Sequence, residues 1–298
     1  MQIGIGLPTT VPGVRGADLL GWARDAEDFG FSSLGVLDRL VYPSHEPIVS
    51  LAAAAAVTQT IRLATTVLIA AYRGNTPLLA KQLAGLHQIS EGRLTVGVAA
   101  GGRADDFDAS GTRYRGRGRT LDSMLGEMTR MWASERFLLP PSPYGRPLVL
   151  VGGHSQAALR RAARYGDGWI MGGSSSVPYR ELAARLQDLW AGQARTGRPR
   201  LMAIAHVALG AGARDRAERY LRDFYAHAGP HAERVVAGLL DTDEAVQRAA
   251  DGYASAGCGE LILFPCAADR EQLGLIAKAL GPGREPWAYR PSSGGAPK

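Results

Sequence analysis

The fold is decided by residues 61–102, which read IRLATTVLIAAYRGNTPLLAKQLAGLHQISEGRLTVGVAAGG. They begin with a β-branched apolar run, Ile61 to Ile69, that is typical of a buried strand. Pro77 then suits the first turn of a helix, and leucines recur behind it at helical spacing. Gly92 closes that helix before a second apolar run, Leu94 to Val98. This pattern predicts a complete βαβ unit, whose right-handed crossover places both strands in a parallel sheet.

The same alternation of short apolar runs and helical patterns continues on both sides of this unit. Six further strands are predicted at Gln2 to Leu7, Ser33 to Leu37, Leu148 to Val151, Asp167 to Met171, Leu201 to Leu209 and Glu260 to Phe264. Helical sequence follows each strand, and two or three helices fill residues 213–256. Eight such units predict a (β/α)8 TIM barrel, parallel and eight-stranded, with extra helices between strands 7 and 8. An open doubly wound sheet is the competing architecture, but the even strand spacing and the lack of Gly-x-Gly-x-x-Gly after the first strand favour the barrel.

Composition bounds the class of protein. The 298 residues are 46% hydrophobic, enough for one large domain or two modest ones, and we predict one barrel domain over residues 1–281. Residues 282–298, rich in Gly, Pro and Ser, are predicted to form a flexible tail. With no apolar run of about 18 residues and no signal-like start, we expect a soluble cytoplasmic protein without membrane contact. Cys258 and Cys266 lack metal-ligand spacing, so no metal site is predicted.

The formal net charge of +6 comes almost entirely from arginines, most of them mixed with acids on helical stretches. The exception is RYRGRGR, residues 113–119, in a stretch read as a long polar loop after Gly102. Because no nucleic-acid-binding module is recognisable, we expect no nucleic-acid partner. The run is interpreted as a solvated loop, or as a rim that attracts an anionic ligand.

Two glycine-rich turns follow consecutive strands. Gly152-Gly153-His154-Ser155 stands between a strand and a helix, and Gly172-Gly173 followed by three serines ends the next strand. Exposed N–H groups and the positive end of a helix dipole at such a turn bind phosphate. The two turns are therefore predicted to hold one phosphate between them. The alternative is that both are tight turns that need glycine for conformation alone.

These features together resemble one known family, the bacterial luciferase-like flavin-dependent oxidoreductases. The resemblance runs from Met1 to about Leu280 and is carried by TTVLIAAYRGNTPLLAKQLAGLHQISEGRLTVGVAAGG, by DDF at residues 105–107, and by VGGHSQAALRRAARYGDGWI at residues 151–170. It implies a (β/α)8 barrel that uses reduced FMN or the deazaflavin coenzyme F-420.

The resemblance also implies a cofactor site. A bulge with a non-proline cis peptide bond at Thr66-Val67 is expected to support the isoalloxazine ring, with Asp38 near the ring and Ala99 to Gly101 along it. Together with the glycine turns, the predicted cofactor-binding residues are Asp38, Thr66, Val67, Ala99, Ala100, Gly101, Gly152, Gly153, His154, Ser155, Gly172 and Gly173.

The sequence departs from the family at three places. Arg39 stands where many relatives carry a histidine after the acid of the second strand. Ala100 stands where true luciferases carry a phosphate-binding arginine, which argues against light emission. The usual Arg-Asn pair after the third strand is extended here to Arg73-Gly74-Asn75.

Catalysis by a flavin needs a proton donor or acceptor near the ring. The predicted catalytic residues are His45, in the loop after the second strand, with Asp38 and Arg39. His45 as a solvated loop residue is the alternative, and His154 and His206 are the other histidines considered. Residues placed near the barrel mouth, Pro8, Tyr72, Arg73 and His206, are predicted to line the substrate pocket.

The resulting hypothesis is a reduced-flavin-dependent monooxygenase that acts on a small organic molecule and receives its cofactor from a separate flavin reductase. A deazaflavin-dependent dehydrogenase or reductase is the alternative, since Arg103 to Arg119 suits that cofactor's acidic tail. A non-catalytic flavin-binding barrel is a third hypothesis, suggested by Arg39. The resemblance also implies a homodimer, because relatives often pair through helices near the second and third strands. The alanine-rich helix Ile48 to Val57 is apolar enough to join such a contact, and its burial within the monomer is the alternative.

Overall fold

Eight parallel strands close into a barrel in chain order, each paired with the next and β8 with β1. The structure is a computed structural model that describes residues 1–134, 143–173, 175–193 and 195–281. The strands are β1 Gln2–Gly6, β2 Ser33–Val36, β3 Arg62–Ile69, β4 Leu94–Ala99, β5 Leu148–Gly152, β6 Gly168–Met171, β7 Arg200–Val207 and β8 Glu260–Pro265. The predicted barrel is confirmed, and the open sheet is excluded. The predicted flexible tail, residues 282–298, lies outside the described residues.

Helices cover the outside of the barrel. They are α1 Gly16–Asp28, α2 Pro47–Val57, α3 Thr76–Ile89, α4 Ala104–Ala109, α5 Arg117–Trp132, α6 Gln156–Tyr165, α7 Tyr179–Ala191, α8 Ala213–Phe224, α9 Pro230–Ala237, α10 Asp243–Ser255 and α11 Glu271–Leu280. Short 3-10 turns occupy Ala70–Arg73 and Ala226–Ala228. As predicted, α8, α9 and α10 fill the interval between β7 and β8.

The prediction was wrong in the polar stretch after Gly102. The sequence predicts one long loop there, but α4 forms within it and α5 begins at Arg117, inside the basic run. Asp106 explains part of this difference, because its carboxylate accepts hydrogen bonds from the Leu40 and Val41 N–H groups at 3.1 and 2.7 Å. Such a contact between residues far apart in sequence leaves no local pattern.

The βαβ unit that predicts the fold has the expected caps. The Asn75 side chain accepts a hydrogen bond from the Leu78 N–H at 2.9 Å, and Pro77 lies in the first turn of α3. After the helix, Gly92 has a φ of 83°, a conformation that glycine adopts without steric cost. The unit thus directs β4 back alongside β3.

Apolar side chains fill the space between strands and helices. Most residues of β2, β3 and β4 are buried, whether they face outward or inward. This is expected because helices cover the outer face of the sheet and the closed barrel encloses its inner face. No helix in the described part of the chain is long and apolar enough to cross a membrane. Because every strand is parallel, all eight carboxyl ends meet at one face, called here the mouth.

Candidate active site

The mouth contains a cavity of about 210 Å³, called here the mouth cavity. Loops after β2, β3, β4, β5 and β6 form its wall, and residues from β7, α8 and α9 close its other side. Its charged and histidine side chains are Asp38, Arg39, Arg103, Asp106, His154, His227 and His231. Its apolar side chains include Leu37, Val67, Ile69, Phe107, Ile204 and Phe224.

A second cavity of about 390 Å³, the glycine-loop groove, continues from the first toward the N-terminus of α6. Both cavities are lined by the same seven residues: Thr66, Val67, Ile69, Gly101, Gly102, His154 and Gly172. The shared wall makes one elongated site, which runs from the end of β3 to the loop at Gly153.

The end of β3 forms the floor between the two cavities. Its pairing with β4 shifts register between Thr65 and Leu68, and the Thr66-Val67 peptide bond is cis, as predicted. The Thr66 hydroxyl donates to the Val36 carbonyl at 3.0 Å, which fixes the bulge against β2. A side chain at Gly97 on β4 would lie 2.2 Å from the Thr65 carbonyl oxygen, so the bulge needs glycine beside it.

Asp38 is held at the end of β2 by three donors. Its carboxylate accepts from the Ile69 N–H at 2.7 Å, from the Tyr72 hydroxyl at 2.5 Å and from the Arg73 guanidinium at 3.1 Å. Burial raises the pKa of Asp38, while the Arg73 charge and the hydrogen bonds oppose that effect. The carboxylate fixes the path of the chain after β3 and lines the mouth cavity.

The loop after β5 has the features of an anion site. Gly153 has a φ of 125°, and a Cβ there would lie 2.9 Å from the Ala158 Cβ. The Ser155 side chain caps α6 by accepting from the Ala158 N–H at 3.2 Å, and the Trp169 indole N–H holds the Gly153 carbonyl at 2.8 Å. The N–H groups of the first turn of a helix lack intrahelical acceptors, so this end of α6 offers donors to an anion.

Two arginines, Arg117 of α5 and Arg161 of α6, line the glycine-loop groove. Arg117 donates to the Gly101 carbonyl at 2.7 Å and stacks on the Tyr114 ring at 3.9 Å. Arg161 bonds Asp122 at 2.6 Å and the Gly118 carbonyl at 3.0 Å. The groove therefore has cationic groups although Ala100 replaces the arginine of true luciferases.

Arg39 packs against two aromatic rings at the mouth. Its guanidinium carbon is 4.8 Å from the centre of the Tyr42 ring and 4.9 Å from that of Phe224, and it donates to the Phe224 carbonyl. Its Nε atom is buried and has no acceptor among the described residues. Burial lowers the pKa of Arg39, and the nearby Arg103 adds to that effect.

Three histidines line the mouth cavity: His154, His227 and His231. Burial lowers the pKa of each, and for His227 the value falls to about 4. Arg103 contacts Nδ1 of His227 at 2.9 Å and, since arginine only donates, that nitrogen is the acceptor. The proton of neutral His227 is then on Nε2. These rings are uncharged hydrogen-bonding groups at neutral pH.

The predicted cofactor residues all line the elongated site. Asp38, Thr66, Val67, Gly101, His154, Gly172 and Gly173 line the mouth cavity, and Ala99, Ala100, Gly152, Gly153 and Ser155 line the glycine-loop groove. Residues from the carboxyl ends of five strands, β2 to β6, are thus brought together.

The predicted catalytic and substrate residues are more dispersed. Asp38 and Arg39 line the mouth cavity, but His45 does not; its Nε2 is 2.8 Å from the Val14 carbonyl. Tyr72 and Arg73 lie behind Asp38 and also do not line the cavity, and neither does the buried Pro8. His206 is buried and lines a neighbouring cavity that shares Gly173 and Ile204 with the mouth cavity.

Several lining residues were not predicted. Phe224, Tyr225, His227 and His231 come from the insertion between β7 and β8, and Arg117 and Arg161 come from helices. The basic run at residues 113–119 gave one usable signal, since it was interpreted as a possible rim for an anion and contains Arg117. For the insertion, sequence gives helical periodicity but not the direction in which the helices fold back.

Comparison with known proteins agrees with this architecture. A family model described as luciferase-like monooxygenase matches residues 1–263. The chain is 34% identical over 174 residues to an uncharacterised protein of Mycobacterium tuberculosis, covering 53% of this chain and 61% of that protein. It is 31% identical over 113 residues to the FMNH(2)-dependent dimethylsulfone monooxygenase of Pseudomonas fluorescens, covering 33% of this chain and 31% of that protein. The chain thus spans about three-fifths of the length of the mycobacterial relative and about a third of the length of the Pseudomonas monooxygenase.

A solved structure extends the similarity over nearly the whole chain. An F420-dependent secondary alcohol dehydrogenase in complex with an F420-acetone adduct superposes with a TM-score of 0.81, covering 94% of this chain and 98% of that one. The two sequences are 16% identical, so this similarity shows a shared fold.

Proposed function

The chain belongs to the luciferase-like monooxygenase family, and on that basis we propose that it is a reduced-flavin-dependent monooxygenase for a small organic molecule. A separate flavin reductase supplies the reduced cofactor in this proposal. One observation supports it: the elongated site connects the bulged end of β3 with the glycine loop at the N-terminus of α6, whose N–H groups suit an anion.

The residues present fit FMN. Gly152 and Gly153 leave the floor open, because a Cβ at Gly152 would lie 2.8 Å from Val67 and 3.5 Å from the Ala99 side chain. The first turn of α6, the Ser155 loop and Arg117 together present N–H donors and positive charge, as a phosphate requires. Gly153, His154, Ser155 and Arg117 would hold the phosphate, and Thr66 with Val67 would support the ring.

The bound flavin would supply the redox chemistry, and the chain would orient the flavin and the substrate and exclude water from them. Leu37, Phe107 and Ile204 give the mouth cavity apolar walls that exclude water. The hydrogen bonds to Asp38 hold the chain after β3 in one conformation. His154, His227 and His231 provide neutral groups that donate or accept a proton at a substrate's polar atom. The location of His45 makes it the weaker candidate for that role.

Use of the deazaflavin coenzyme for hydride transfer is the second candidate. It is favoured by Arg39 and Arg103 at the mouth cavity and by the arginines that follow, which suit an acidic tail. A structural neighbour uses F420, and a curated relative uses FMNH2.

Titration distinguishes the cofactors. Purified protein is titrated anaerobically with reduced FMN and, separately, with the reduced deazaflavin, while fluorescence is recorded. We expect micromolar affinity for FMN. Tight binding of the deazaflavin alone would assign the second candidate, and failure of both would contradict a cofactor-dependent function.

A substitution tests the anion loop. Gly153→Asp places a carboxylate beside the expected phosphate and a side chain against Ala158, so we expect FMN affinity to fall at least about a hundredfold. Gly197→Asp is the matched control, since Gly197 also has a positive φ, 74°, and precedes β7 at the opposite end of the barrel, with nothing within 4 Å of its Cβ. Equal affinities of the two variants would refute the assignment of the loop.

The dimer predicted from the sequence is retained as part of the proposal. Val49 of α2 is 68% exposed, and Leu78 and Ile89 of α3 are 55% and 67% exposed. Apolar residues exposed on two packed helices support a contact with a second copy of the chain.

A further inference from the structure

Arg39 is a cation at the mouth cavity that forms no ion pair with any acid among the described residues. In the described part of the chain, no carboxylate oxygen lies within 4.0 Å of its guanidinium. Its guanidinium donates to two carbonyl oxygens, those of Phe224 and, at 3.4 Å, of Val41. Guanidinium has five N–H donors and the Nε donor is buried, so one N–H on each terminal nitrogen remains for a ligand.

The acids near Arg39 are committed to other partners. Asp38 accepts from Ile69, Tyr72 and Arg73, and Asp106 accepts from the Leu40 and Val41 N–H groups. Asp105 is paired with Arg103. The histidines of the cavity are neutral at pH 7. An anion that binds Arg39 therefore does not have to displace a paired carboxylate from it, although the charges of Asp105 and Asp106 act on Arg39 from a longer distance.

Arg39 is also held in place before any ligand arrives. Tyr42 follows β2 and Phe224 ends α8, and their rings meet edge to face with centroids 5.1 Å apart. The guanidinium packs into the corner that the two rings form. A planar guanidinium fixed in this way binds a carboxylate through two parallel hydrogen bonds with little loss of side-chain entropy. The same residue cannot act as the acid or base that a histidine would be at this position, because its charge does not titrate near neutrality.

We propose that the mouth cavity selects substrates that carry a carboxylate on a small apolar or aromatic body, and that Arg39 binds this carboxylate. Leu37, Phe107, Ile204 and Phe224 would contact the apolar body. This inference rests on the proposed function in taking the mouth cavity as the substrate site.

Matched pairs of probes test it by calorimetry. Benzoate and isovalerate are compared with benzamide and isovaleramide, which have the same shapes without the charge. We expect both carboxylates to bind at least about tenfold more tightly than their amides, and this preference to vanish in Arg39→Gln. Arg39→Lys keeps the charge and should retain part of the preference. Arg24→Gln, on the exposed face of α1, makes the same change in net charge away from the cavity. This variant should keep the full preference for carboxylates over amides.

The outcomes separate this proposal from the cofactor assignment. Carboxylate binding that survives in Gly153→Asp, with FMN binding that survives in Arg39→Gln, supports two distinct sites. Three results would overturn the proposal: no carboxylate binding up to about 10 mM, equal affinity for acid and amide, or loss of carboxylate binding in Gly153→Asp. Weakened deazaflavin binding in Arg39→Gln with unchanged benzoate binding would also overturn it, because Arg39 would then serve the cofactor's tail.

Discussion

His206 should make the stability of the protein fall in mildly acidic solution. It lies on β7, 3% exposed, with Nε2 at 3.1 Å from the Tyr225 hydroxyl and no partner for Nδ1 among the described residues. Burial lowers its pKa from 6.5 to about 4. The unfolded chain therefore binds a proton as pH falls through 6.5, whereas the folded protein does not until pH about 4.

The size of the effect follows from these two pKa values. The stability that neutral His206 contributes is fully present above pH 6.5 and is lost as pH falls toward 4. By pH about 4 this loss reaches about 3 kcal/mol. At about pH 5 the loss relative to about pH 7.5 amounts to roughly 2 kcal/mol of the free energy of unfolding. Other histidines with lowered pKa values add to the total, so the test is the difference between variants.

Urea denaturation at about pH 7.5 and about pH 5 measures this difference. His206→Gln cannot titrate, so its free energy of unfolding should fall between the two pH values by roughly 2 kcal/mol less than that of the unsubstituted chain. His45→Gln is the control, because it removes a partly exposed loop histidine far from His206 in sequence. Identical pH dependence of the His206→Gln variant and the unsubstituted chain would refute the reasoning.

Two further predictions concern the ion pair at Asp38 and the contact between copies. Asp38→Asn leaves the half-buried Arg73 with Glu46 as its remaining acidic partner, and we expect a loss of about 3 kcal/mol in the free energy of unfolding by urea denaturation. A loss below about 0.5 kcal/mol would show that the pair is not stabilising. Val49→Glu should convert a dimer to monomers in sedimentation velocity without changing the circular dichroism spectrum, and Arg24→Glu on α1 should leave the dimer intact. A monomeric unsubstituted chain would contradict the dimer.

Local patterns predicted the barrel because its elements are specified locally. Asn75 and Pro77 start α3, and Gly92 ends it, all within one short stretch. The glycine turn before α6 could be located for the same reason, since Gly153 and Ser155 directly precede the helix and Ser155 caps it. The bulge at Thr66-Val67 was predicted from the resemblance, because no local propensity indicates a cis bond between these residues.

The histidines at the mouth could not be predicted in this way. His45 was chosen because it follows β2, but a bond to the Val14 carbonyl holds it away from the cavity. His227 and His231 reach the cavity because the helices between β7 and β8 fold over the mouth. That packing depends on contacts between distant segments, such as the bond between Arg103 and His227, which are 124 residues apart. Periodicity within one segment contains no information about such contacts.

The central claim is that one site binds a redox ring at β3 and an anionic tail at α6. A crystal structure of the protein soaked with FMN tests it most directly. We predict density for the phosphate against residues 153–155 and Arg117, and for the ring against Thr66 and Val67. Density for FMN elsewhere, or a phosphate bound away from the N-terminus of α6, would contradict the account.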